Sequence, residues 1–71
     1  RKKETNLKYK RNKAGISQSE LSEISKVPVR TIQQYEQRQK NINKAQTETL
    51  IRLSKALCCE VEDLMEKLDS F

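Results

Sequence analysis

Seventy-one residues suffice for one small domain with a single modest core. The net charge of +5 is unevenly spread, with +6 in residues 1–13, +3 in residues 14–59 and −4 in residues 60–71, a polarity suited to presenting one face to phosphates. No apolar run is long enough to span a membrane and no secretory signal appears, so a cytoplasmic protein is expected.

Leu7, Arg11 and Ala14 recur at helical spacing and stop at Gly15, a residue suited to a helix C-cap. A first helix is therefore expected there, preceded by a mobile basic arm over residues 1–4. Ser17-Gln18-Ser19-Glu20 has the Ser-x-x-Glu form of a capping box, so a second helix should begin just after Ser17 and end near Ser25. Pro28 fits the first turn of a third helix, where a missing amide hydrogen costs little. Leu21, Val27, Ile32 and Tyr35 are spaced to pack these two helices together at a steep angle, which leaves Arg30, Gln33, Gln34 and Gln37 pointing outward. That is the layout of a helix-turn-helix, whose second helix enters the major groove.

Arg38 to Ile42 reads as a basic loop with Ile42 turned inward. Asn43, with Gln46 three residues on, is placed to cap a fourth helix running to about Leu57 on an apolar face of Leu50, Leu53 and Leu57. Val61, Leu64, Met65 and Leu68 define a fifth amphipathic helix with acidic first turns. The periodicity thus predicts an all-α fold of five short helices, with no competing strand pattern.

The register of these pieces resembles the lambda-repressor-like helix-turn-helix domains of the Xre family over residues 5–68, leaving residues 69–71 as a tail. The resemblance is carried by Leu7, Arg11, Gly15-Ile16-Ser17-Gln18, Leu21, Ser22, Val27, Thr31-Ile32, Tyr35-Glu36, Leu50, Leu53, Lys55-Ala56-Leu57 and Glu62-Asp63-Leu64. It implies a compact five-helix domain that binds double-stranded DNA through helices 2 and 3. Three positions depart from the pattern. Lys26 stands where the inter-helix turn usually has Gly, Pro28 replaces the usual Ser/Thr cap, and Cys58 replaces the Gly that usually ends helix 4. Ile24 and Ser25 also reverse the usual apolar order, leaving the packing of Ile24 open.

The resemblance places Arg30 and Val29 at base-facing positions. A guanidinium matches O6 and N7 of guanine, and an apolar Val29 suits a thymine methyl. Gln34, one turn after Arg30, suits the N6/N7 edge of adenine. Gln33 is a further base candidate, although it and Gln37 could each reach a base, a phosphate or only water. Phosphate candidates are Gln18, at a position where the family often contacts the backbone, with Thr31, Gln37, Arg38, Lys40, Asn41, Asn43 and Lys44. Arg11 and Glu36 match a family ion pair that links helix 1 to the end of helix 3, an architectural role.

The partner expected is duplex DNA, bound by a homodimer of a bacterial or phage regulator, most naturally a repressor. Tyr9, Ile24, Met65, Leu68 and Phe71 are candidates for the dimer surface or for completing the monomer core. An alternative keeps the fold but makes the acidic terminal helix the surface for a protein partner, as in an antitoxin. Catalysis is not supported. The chain has no His to serve as base for Cys58, Cys59 or any Ser, no metal-ligand set, and a single Gly where a phosphate loop needs several, so no metal or cofactor is expected. The adjacent cysteines read as structural thiols of a reducing compartment, with redox sensing as the alternative.

Overall fold

The computed structural model describes residues 4–66, and within them the fold is all-helical. Helices run α1 Asn6–Ala14, α2 Gln18–Ser25, α3 Val29–Glu36, α4 Thr47–Ala56 and α5 Val61–Leu64, with a 3-10 turn at Ile42–Lys44 between α3 and α4. The sequence signals at the front of the chain work as chemistry. The Thr5 hydroxyl accepts the Lys8 amide at 3.2 Å to start α1, and Gly15 ends it in the left-handed region at φ 76°. Ser17 and Glu20 exchange their capping-box bonds at 3.1 and 2.8 Å.

The core is one cluster. Leu7, Leu21, Ile32, Leu53 and Leu64 are completely enclosed, and Val27, Tyr35, Ile42, Leu50 and Leu57 pack around them. Each such aliphatic side chain contributes about 1.5–3 kcal/mol on removal from water. α2 packs on both α3 and α4, while α1 lies against α3 and α5. The recognition-helix candidate α3 is thus held from behind by α1 and α2.

Several boundaries differ from the periodicity. Pro28 is the N-cap residue itself, extended at φ −55° and ψ 139°, and α3 begins one residue later without a side-chain cap. Asn43 does not cap α4; it sits in the 3-10 turn, and Gln46 precedes the helix. α5 is a four-residue helix because the backbone becomes extended at Met65. Leu68, Phe71, most of the expected arm and the tail over residues 69–71 lie outside the described residues.

Left-handed backbone appears at three non-glycine residues, Lys26 (φ 64°), Arg38 (φ 61°) and Cys58 (φ 55°). Such a residue pays about 1–2 kcal/mol against glycine in this conformation. The helix packing therefore keeps the turn even where the local residue disfavours it. Ser25 is buried and satisfies its hydroxyl locally, donating to the Leu21 carbonyl at 2.7 Å and accepting from the Val27 amide at 3.2 Å. Ile24 is left 56% exposed.

Candidate nucleic-acid interface

The outer face of α3 is built by a simple division of labour. Ile32, Tyr35 and Glu36 face inward, while Arg30, Gln33, Gln34 and Gln37 share an open groove with Gln39. This groove is lined by one cation and four amides, with no carboxylate to repel a phosphodiester backbone. Val29 is at the leading end of the same helix and is partly exposed; Thr31 is half-buried on its flank. Gln39 escaped the sequence argument. The left-handed turn at Arg38 folds the chain back so that the Gln39 amide meets the Gln34 carbonyl at 2.8 Å, and its side chain donates to Gln37 Oε1 at 3.0 Å. No glycine announces that turn.

Behind the groove lies the ion pair that sets the angle of α3. Arg11 Nε meets Glu36 Oε2 at 2.7 Å, its second fork nitrogen meets Oε1 at 3.0 Å, and its third nitrogen donates to the Ile16 carbonyl at 2.9 Å. The Glu36 side chain is only 3% exposed. The hydrogen bond to Glu36 holds the Arg11 guanidinium above its ordinary value, against the opposing effect of burial. Gln18, at the first position of α2, joins this pair by donating from Nε2 to Glu36 Oε1 at 2.9 Å.

A second cleft, past the end of α3, brings together Lys40, Asn41 and Lys44 with Tyr35, Ala45, Gln46 and Thr49. The first turn of α4 opens here without a side-chain cap, so its amides add to the positive character of two lysines. Tyr35, Gln46 and Thr49 were not legible as site residues, because their roles in core and helix explain their types without a ligand. Asn41 spends its side-chain oxygen on the Asn43 amide at 2.9 Å.

Two further phosphate candidates, Asn43 and Arg38, are held by Glu66. Asn43 uses both ends of its side-chain amide on the backbone of Glu66, donating to the carbonyl at 2.7 Å and accepting from the amide at 2.8 Å. Arg38 turns back toward the same residue, with a guanidinium nitrogen 3.6 Å from Glu66 Oε1. The other Glu66 oxygen receives the Asn6 amide at the start of α1, and the Asn6 side chain donates to the Met65 carbonyl at 2.7 Å. Residues 65–66 are therefore clasped between α1 and the loop that follows α3.

Elsewhere, no cluster of potential metal ligands occurs among the described residues, and none of their helices is long and apolar enough to cross a membrane. Cys58 is an exposed free thiol, and burial pushes the half-buried Cys59 thiol upward.

A family model described as Helix-turn-helix matches residues 7–64. No curated protein and no solved structure matches the chain significantly. The matched family is a DNA-binding regulatory one rather than an enzymatic one. From Leu7 to Leu64, the chain belongs to the Xre-type, lambda-repressor-like helix-turn-helix family of DNA-binding transcription regulators.

Proposed function

We propose that this domain belongs to a bacterial or phage regulator that works in the bacterial cytoplasm, where it binds specific sequences in duplex DNA as a homodimer and acts as a repressor, with α3 in the major groove. The observation that carries this reading is the α3 groove, where Arg30, Gln33, Gln34 and Gln37 gather on one surface free of acids. Arg30 pairs with guanine O6 and N7, and Gln34 with the adenine edge, while Val29 meets a thymine methyl. Gln18 at one end, and Lys40, Asn41 and Lys44 at the other, hold phosphates on either side of the groove. Thr31 and Gln37 add contacts along the helix flank.

Selection of sites from a random duplex pool at moderate salt tests the reading. An enriched inverted repeat, with half-sites about one helical turn apart, is the expected outcome. Binding without enrichment that vanishes as salt rises would reduce the surface to a nonspecific basic patch.

A further inference from the structure

The Gln18 side chain has a second consequence beyond contact with a phosphate, and it rests on the DNA-reading function proposed above. Four residues form a chain of side-chain bonds running from the interior to the groove: Arg11, Glu36, Gln18 and Gln33. The direction of every bond in that chain is dictated by its inner end. A carboxylate paired with arginine only accepts. Gln18 must therefore turn its nitrogen to Glu36, which it does at 2.9 Å. A primary amide carries its oxygen opposite its nitrogen, so Gln18 Oε1 faces outward. Gln33 can then only donate to it, and its Nε2 lies 3.4 Å from Gln18 Oε1.

A solvated glutamine turns its amide over freely and presents either end to a base. Here Gln33 has spent one N–H, and its Oε1 has no hydrogen-bond partner among the described residues. What remains is one acceptor and one donor. That pair matches adenine, which offers an N6 donor and an N7 acceptor in the major groove. Guanine offers two acceptors, O6 and N7, so a two-bond contact with it would demand the donor that Gln18 has already taken and would leave the Gln33 oxygen facing an acceptor.

We propose that Gln18 is a positioning residue that fixes the polarity of the Gln33 amide, through Glu36, and so makes Gln33 a reader of adenine in preference to guanine. The chain converts a buried charge into a hydrogen-bond direction at the surface. It also assigns Gln33 a base role distinct from that of Gln34 on the neighbouring stripe of α3.

The test compares base-preference profiles from random-pool selection for the native chain, Gln33→Ala, Gln18→Ala and Gln18→Lys. Lysine can still donate to Glu36 and attract a phosphate, but it cannot accept from Gln33. Circular dichroism and thermal unfolding establish that each variant is folded. The native protein should show adenine over guanine at one position of each half-site by about fivefold or more, the discrimination of a good base contact. Gln33→Ala should erase that preference, and both Gln18 variants should flatten the same position while leaving the Arg30-dependent guanine preference intact. Gln18 variants that weaken all sites equally, with the adenine preference retained, would overturn the proposal. So would a Gln33→Ala profile identical to the native one; in that case the domain still reads DNA and only this inference falls. A native profile without any base preference would instead remove the DNA-reading function itself.

Discussion

The outer face of α3 and the loop that follows it look alike in chemistry, both combining cations with side-chain amides. Their side chains are used very differently. On α3, Arg30, Gln33, Gln34 and Gln37 stand in an open groove, and their inner neighbours Ile32 and Glu36 carry the structural load. In the loop, Arg38 and Asn43 turn inward to Glu66, and only Lys40, Asn41 and Lys44 remain around an open cleft. A polar residue type thus signals surface chemistry only where the side chain keeps a bonding group turned to the open surface.

The sharpest way to break this contrast is Glu36→Ala. The substitution strands the Arg11 guanidinium behind α3, and removal of one partner from a buried pair costs about 3–5 kcal/mol. Urea unfolding should register this as a large fall in midpoint; a loss below 1 kcal/mol would mean that the pair does not hold the helix. Arg30→Ala comes next. It should leave stability unchanged and cost about 1–3 kcal/mol of affinity for the best site, concentrated at one base position. Equal weakening for every duplex would return Arg30 to the backbone contacts.

The loop supplies a finer comparison. Lys40→Ala should lower the slope of log K against log salt by about 0.9 for one lost phosphate contact. Arg38→Ala should change that slope by clearly less, because Glu66 holds the guanidinium. Matching slopes for the two variants would erase the distinction between claimed and free cations. The smallest effect concerns the turn between α2 and α3. Lys26→Gly relieves a left-handed residue but enlarges the unfolded ensemble, for a net gain of a few tenths to about 1 kcal/mol. A loss of thermal stability would show that the Lys26 side chain contributes more than its backbone costs.

Much of the architecture was legible because its causes are local. Gly15 ends α1, Ser17 and Glu20 cap α2, and the spacing of Leu21, Val27, Ile32 and Tyr35 packs the helix pair, all within a few residues of each other. Ile42 and Leu64 also occupy the core as their patterns suggested. The features that escaped arise from contacts distant in sequence or from geometry without a residue signature. Asn43 carries a good capping type at good spacing, yet its amide is worth more across 23 residues, where it satisfies both polar groups of Glu66. The length of α5 was overestimated for the same reason: the Asn6 bond to the Met65 carbonyl and the Asn43 bonds to Glu66 hold the chain extended. Gln39 entered the groove through a left-handed Arg38, a conformation that arginine gives no cause to anticipate.

The bonds among Asn6, Met65 and Glu66 make the described chain nearly a ring, since positions 60 apart in sequence touch. A ring can be opened elsewhere. Joining Glu4 to Glu66 with a short flexible linker, which keeps the Thr5 cap, and cutting the chain in the exposed Gln39–Lys40 segment, yields a circular permutant whose helices keep their order in space. Closing a loop of this size covalently removes freedom from the unfolded chain, so the same linker without the cut should raise the melting temperature. Labels attached beside positions 6 and 66 would then report opening of the whole domain, although both sit at its edge.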